Sequence, residues 1–355
     1  MTSRDYSPPR GFDKNSIRKI LVIQLGPFGD GLLTTAYFEA LKQFFPESKL
    51  HYLIKEPYHR SAVRHPFVDR LVTIPQSSGG LLGYLTERLR VIKRLRAEKY
   101  DLVIDSQNKP SSQYLTLFSG ARFRLGYDKR VSSWVYNIRA SRAPKRYTAS
   151  RRFDILRPLG IEEQPFQLYF PIPEECQGII DRWLDAQGLY CDQFVVVAPG
   201  SRQARKKWRA DHYASVADRI QTELDLRVVL LWAPEEEEDA QAVARLMTTA
   251  PVLAPPTSLE EGVALINRCR LLICNDSGLN HMAVTTKTTT LALFGPMDPL
   301  SWSPSTMFDH HHHLYVPGGV NSGDNSFGIT PAMVLDKVSD ILDPSSTSNA
   351  VEADC

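Results

Sequence analysis

Leu271-Leu272-Ile273-Cys274-Asn275-Asp276-Ser277-Gly278-Leu279-Asn280-His281 passes directly from a continuous apolar run into a polar cluster. A short apolar run without alternation is the pattern of a strand buried on both faces. The polar cluster marks the place where that strand becomes a helix. Backbone N–H groups at such a helix start form an anion site, which suits a diphosphate. An ordinary N-cap at Asp276 or Ser277 explains one residue but not the clustering of Asn, Asp, Ser, Gly and His.

The same punctuation recurs on both sides of this stretch. In the first half, Lys19 to Leu25 reads as a buried strand ending at Gly26. The loop Gly26-Pro27-Phe28-Gly29-Asp30 leads to a helix over Gly31 to Phe45, stopped by Pro46. Leu50 to Ile54 is a strand, Leu81 to Glu98 an amphipathic helix and Tyr100 to Asp105 a strand. The stretch from Lys129 to Pro173 is rich in Pro, Arg and Ser and has weaker periodicity. Alternation restarts with a helix over Glu174 to Gln187 and strands at Phe194 to Ala198 and Arg227 to Trp232. Helices follow at Asp211 to Leu224, Glu235 to Met247 and Leu259 to Arg268, a strand at Thr289 to Phe294 and a closing helix over Pro331 to Leu342. Strand–helix alternation of this kind predicts an α/β fold with parallel, doubly wound sheets. The expected organisation is a flexible arm over 1–17, a Rossmann-like domain over 18–172, a second over 173–343 and a disordered tail over 344–355.

The chain has 355 residues and a formal net charge of +2, a balance that argues against a dedicated nucleic-acid binder. No apolar run reaches bilayer length and the N-terminus shows no signal-peptide core, so a soluble, cytoplasmic protein is expected. The cysteines (Cys176, Cys191, Cys269, Cys274, Cys355) lack CxxC spacing, which fits incidental thiols in a reducing compartment. Positive charge concentrates in Arg88 to Arg96 and in Arg139 to Arg152. These stretches read equally as solvated surface or as a face for an anionic acceptor or an anionic membrane leaflet.

Three constellations carry chemistry. The loop before Asp30 follows a strand, placing that carboxylate where open α/β sheets bind ligands, although helix capping accounts for Asp30 taken alone. Its spacing is not GxGxxG, so a dinucleotide cradle is a poor match. Ala198-Pro199-Gly200-Ser201 followed by Arg205-Lys206-Lys207-Trp208 offers N–H, hydroxyl and ammonium donors to a phosphate. In the third, around Asn275 to His281, Asp276 lies too close to a phosphate to help bind it. Its carboxylate is better suited to accept hydrogen bonds from sugar hydroxyls. The run Glu235-Glu236-Glu237-Glu238 is mostly dipole-favoured surface, with one carboxylate available for a ribose diol. His310-His311-His312-His313 matches a metal tract in composition only. With no Asp-x-Asp after a strand, the expectation is no metal and no cofactor, the leaving group being stabilised by Lys and helix N-termini.

Taken in order, these segments resemble glycosyltransferase family 9, the lipopolysaccharide heptosyltransferase family, over roughly Arg18 to Leu342. The resemblance rests on Gly29-Asp30, Leu33-Thr34-Thr35, Gly120-Ala121, Arg124-Leu125-Gly126-Tyr127, Pro199-Gly200-Ser201 and Lys206-Lys207-Trp208. It continues through Asn275 to His281 and Ala292-Leu293-Phe294-Gly295-Pro296-Met297-Asp298-Pro299. It implies the GT-B fold, two Rossmann-like domains facing across a cleft, and inverting transfer of heptose from ADP-heptose to the lipopolysaccharide inner core. Asp30 is then the general base and Lys206 stabilises the departing ADP, together forming the catalytic pair. Gly200, Ser201, Glu236, Asp276, Ser277, Gly278, Leu279 and His281 form the donor site. Gly29, Lys109, Arg124 and Tyr127 contact the acceptor, an anionic glycolipid. A monomer with peripheral inner-membrane contact is expected. Departures from the family pattern are Pro27-Phe28, Arg209 in place of a proline, and Met282 to Lys287 in place of an Ala/Gly-rich helix. They bear on the donor's base and sugar, so a related transferase with another nucleotide sugar or acceptor stays open. The other rivals are a non-catalytic nucleotide-sugar-binding protein and an NAD-type oxidoreductase, the latter disfavoured by the missing GxGxxG turn.

Overall fold

A computed structural model of the chain describes residues 11–56, 58–75, 80–128 and 134–343, the side chains at 81, 82, 321 and 322 excepted. The chain divides into two compact units, Met1–Pro171 and Ile172–Cys355. The first holds strands β1 (Lys19–Ile23), β2 (Lys49–Lys55), β3 (Arg70–Ile74), β4 (Leu102–Asp105), β5 (Phe123–Tyr127) and β6 (Ile138–Ala140). They form one parallel six-stranded sheet in the order β3-β2-β1-β4-β5-β6. The second holds β7 (Phe194–Ala198), β8 (Arg227–Leu230), β9 (Val252–Leu253), β10 (Leu271–Asn275), β11 (Thr290–Phe294) and β12 (His311–Tyr315). These pair in parallel in the order β12-β11-β10-β7-β8-β9.

The apolar runs are continuous because helices cover both faces of each sheet. Successive side chains of one strand enter different cores. Val195 and Val197 of β7, with Leu271 and Ile273 of β10, pack against Trp208 and Tyr213. Phe194, Val196 and Ala198, with Leu272 and Cys274, pack on the other face against Ile180, Leu265 and Ile266. Each Val, Leu, Ile or Phe side chain withdrawn from water in this way contributes roughly 1.5–3 kcal/mol.

Several elements escape the apolar-run pattern. β3 is an edge strand with alternate residues partly exposed, β5 carries Arg124 and Gly126, and β9 has two residues. β12 is built largely from the histidine tract, whose imidazoles are lowered in pKa by burial and serve as neutral, strand-compatible rings. The helix expected from Gly31 begins at Phe28 behind the cap residue Pro27, turns 3₁₀ at Thr35–Tyr37 and resumes over Phe38–Phe44.

The expected arm over 1–17 is fixed from residue 11 onward. Phe12 packs edge-on against Phe45 and Phe123, and Ile17 is buried. Residues 1–10 of that arm, and the tail over 344–355, lie outside the described residues. Cys269 and Cys274 are buried free thiols, and Cys176 is a free thiol of intermediate exposure. Among the described residues no helix is long and apolar enough to cross a membrane. The basic stretch from Arg88 lies on the helix Gly80–Glu98, where Leu85 and Leu89 are exposed beside Arg90 and Lys93.

Buried histidines couple the fold to pH. Burial pushes His65, ringed by Phe38, Phe67 and Tyr169, down to about 4 from an ordinary 6.5. Below pH 6.5 the unfolded chain takes up a proton that the folded chain refuses, so stability is complete above that value and falls towards pH 4. Linkage puts the loss from this one residue at about 2 kcal/mol between about pH 7.5 and about pH 5. Urea denaturation at those two pH values should show His65→Phe losing less stability than the parent by that amount. An equal loss in both would contradict it.

Candidate functional site

In each sheet the strand order reverses once, between β1 and β4 and between β7 and β10. Loops leaving the carboxyl ends of the two strands diverge there, opening the crevice that binds ligands in open α/β sheets. Asp30 follows β1 at one such point. The Pro199–Ser201 loop and the Asp276–His281 turn follow β7 and β10 at the other.

In the first unit Asp30 is the third residue of the helix Phe28–Thr34. A carboxylate suits the positive end of a helix. Gly31 behind it has no room for a side chain: an added Cβ would lie 2.5 Å from Ser61 Oγ. Asp30 Oδ1 accepts a 2.7 Å hydrogen bond from Arg152 Nη2, an ion pair linking residues far apart in sequence. Arg152 Nη1 donates to the Ser106 carbonyl at 3.1 Å, just after β4. Sequence reading placed Arg152 only in a basic stretch, and nothing local marks it as the partner of Asp30.

The remaining residues expected on the acceptor side separate by position. Gly29 adjoins Asp30 in the same helix. Lys109 is exposed after β4 at the start of the helix Pro110–Phe118. Tyr127 is buried at the carboxyl end of β5, its carbonyl accepting from Asn108 Nδ2 and its ring covered by the Arg142 guanidinium 4.4 Å from the centroid. Arg124 stands apart. It lies near the amino end of β5, and its guanidinium donates to the carbonyls of Val135 and Ala121. That bonding gives it a structural task and removes it from the edge where Asp30 sits.

In the second unit the expected donor residues converge. Lys206 Nζ lies 2.6 Å from Asp276 Oδ2, and both side chains are largely shielded from water. Burial raises Asp276 while the ammonium beside it pulls the other way. His281 is also buried and is pushed down to about 4 by that burial and by Lys206, so its imidazole is neutral near pH 7. Ser277 caps the helix Gly278–Thr286, its Oγ accepting from the Leu279 N–H at 3.3 Å. The helix-cap explanation therefore holds for Ser277, and it coexists with the charged pair one residue earlier.

Two further contacts shape this edge. Glu236 is the half-buried member of the glutamate run, raised by burial, and sits against Gly200 so closely that a Cβ there would meet its carboxylate at 2.3 Å. Packing on Gly200 thus sets Glu236 apart from the other three glutamates of the run. Asn275, fully buried at the end of β10, ties the loops together. Its Nδ2 donates to the Pro199 carbonyl at 2.7 Å, and its Oδ1 accepts from the Trp208 N–H at 2.9 Å and the Tyr213 hydroxyl at 3.1 Å. Sequence reading included Asn275 in the cluster without giving it a task. Ser201 is buried beside it. In the histidine tract, His313 Nδ1 is engaged by Ser303 and Ser305, and among the described residues no three His, Cys, Asp or Glu side chains group to hold a metal ion.

This arrangement offers a partly buried cation, a carboxylate, a helix start and a hydroxyl at one strand edge, all suited to a diphosphate and a polyol. Residues 88–313 match the family model for glycosyltransferase family 9 (heptosyltransferase). Lipopolysaccharide heptosyltransferase 3 of Escherichia coli (strain K12) is 32% identical over 286 residues, covering 78% of this chain and 83% of the relative. The crystal structure of a family 9 glycosyl transferase from Veillonella parvula superposes with a TM-score of 0.82 at 25% identity, covering 93% of this chain and 98% of that one. E. coli heptosyltransferase WaaC, solved with ADP-2-deoxy-2-fluoro heptose, has a similar fold, with a TM-score of 0.70 at 20% identity over 91% of this chain and 99% of that one.

Removing the Asn275 amide leaves several buried partners unpaired, each costing about 1–3 kcal/mol. Asn275→Ala should therefore lower the stability measured by urea denaturation by on the order of 3 kcal/mol. A loss below about 0.5 kcal/mol would show that the loops hold without it.

Proposed function

The chain belongs to glycosyltransferase family 9, the heptosyltransferase family, and from this we propose that it transfers heptose from ADP-heptose to an anionic lipopolysaccharide-core acceptor. The observation that carries the donor side of this reading is the buried Lys206–Asp276 pair beside a capped helix start. Asp30 takes the proton from the acceptor hydroxyl. The resulting oxygen attacks the anomeric carbon from the face opposite the phosphate, the C–O bond to the diphosphate breaks, and ADP leaves with the electron pair. Displacement of this kind inverts the anomeric centre and needs no metal if the protein compensates the charge of the leaving diphosphate.

On this reading Lys206 supplies that compensation together with the Ser201 hydroxyl, the Gly200 backbone and the N–H groups of Ser277, Gly278 and Leu279. Asp276 accepts from heptose hydroxyls and holds Lys206 in place. Neutral His281 serves as a hydrogen-bonding group in the phosphate site, since it brings no charge of its own. Glu236 binds the ribose diol. On the acceptor side, Gly29, Lys109 and Tyr127 are joined by Arg142 and Arg151, neither of which has an ion pair among the described residues. Guanidinium groups without a carboxylate partner suit an acceptor bearing phosphate or carboxylate.

Asp30→Ala should bind ADP as the parent does in a thermal-shift titration yet lose transfer by about 100-fold or more, the usual consequence of removing a general base. Full turnover in that variant would remove Asp30 from the chemistry. Stabilisation by UDP or GDP in preference to ADP would redirect the donor assignment.

A further inference from the structure

We propose that Arg152 is a positioning residue for Asp30, an inference that rests on the base role given to Asp30 above. The guanidinium is held at two points. Nη2 donates to Asp30 Oδ1 at 2.7 Å and Nη1 to the Ser106 carbonyl at 3.1 Å. Ser106 is itself fixed, its Oγ lying 2.6 Å from the buried Tyr37 hydroxyl. Arg152 therefore bridges the loop after β1 to the loop after β4, across the point where strand order reverses. The planar fork makes this two-point grip directional, which an ammonium cannot reproduce.

The grip divides the carboxylate. Oδ1 is committed to Arg152, while Oδ2 has no hydrogen-bond partner among the described residues. The Asp30 side chain is 30% exposed and that of Arg152 only 12%, so the cation sits behind the carboxylate rather than between it and solvent. One oxygen is fixed and the other is free to receive the acceptor proton. A base held this way loses less time in unproductive rotamers.

The surroundings assign this control to arginine. Tyr37, Tyr52 and Tyr127 are the neighbouring titratable hydroxyls, and burial raises all three, so they stay neutral. Asp105 interacts with Tyr37 but accepts from the Tyr136 hydroxyl and from the N–H groups of Gln107 and Asn108. Arg151 adds positive charge beside Arg152 without an ion pair of its own among the described residues.

The test is a double-mutant cycle on the full chain with ADP-heptose and a lipopolysaccharide-core acceptor, using R152Q, R152K, D30N and D30N/R152Q. R152Q should lower kcat by about 10- to 100-fold and leave the KM for donor within about twofold. R152K, which keeps the charge but not the fork, should restore only part of kcat. In the D30N background R152Q should cost nothing further. Parental kcat in R152Q would overturn the proposal while leaving Asp30 as base. An equal loss from R152Q with and without D30N would overturn it by showing that Arg152 acts elsewhere. Full activity in D30N would remove the base role and the positioning role together.

Discussion

On the proposed mechanism the donor-side chemistry depends on keeping a cation and a carboxylate, Lys206 and Asp276, in contact at 2.6 Å with little water around them. Desolvating two charges is expensive, and removing one partner from such a pair typically costs about 3–5 kcal/mol. The surrounding structure meets that demand with fixed geometry. Parallel pairing of β7 and β10 brings the two loops to one edge, and the buried Asn275 amide holds the Pro199 loop and Trp208 to the end of β10. Trp208 is then locked from its other side, its indole N–H donating to the carbonyls of Ser326 and Ile329. Lys206, two residues earlier, inherits that rigidity.

The first unit solves a related problem with different parts. Its carboxylate, Asp30, is placed by a helix start and by a guanidinium rather than by an ammonium, and it is less buried than Asp276. The difference matches the proposed tasks. A group that exchanges a proton with a substrate needs access and one free oxygen, whereas a group that anchors a cation needs burial. In both units the charged pair stands where strand order reverses, so one sheet topology used twice creates both locations.

Much of this was legible in the sequence because the central strands are buried on both faces. β1, β7, β10 and β11 read as unbroken apolar runs, and the residues that follow them include Asp30, Ser201, Asp276 and His281. The edge strands were illegible for the complementary reason. β3 is partly solvated, and β12 is made of histidines whose neutrality in the fold comes from burial, which local sequence does not encode. Tertiary pairings were hidden as well. Arg152 reaches Asp30 across 122 positions, and Glu236 is distinguished from its neighbours only by its packing on Gly200. Arg124 shows the converse: a residue carried over by resemblance lies near the amino end of its strand, occupied by backbone carbonyls.

The proposed mechanism is a metal-independent, inverting transfer of heptose. It is tested by NMR analysis of the product formed from ADP-heptose and a lipopolysaccharide-core acceptor in the presence of EDTA, with released ADP quantified in the same reaction. One ADP should be released per heptose transferred, at a rate unaffected by the chelator, and the product's anomeric configuration should be opposite to that of the donor. A product of retained configuration, or transfer abolished by EDTA and restored by a divalent cation, would contradict it.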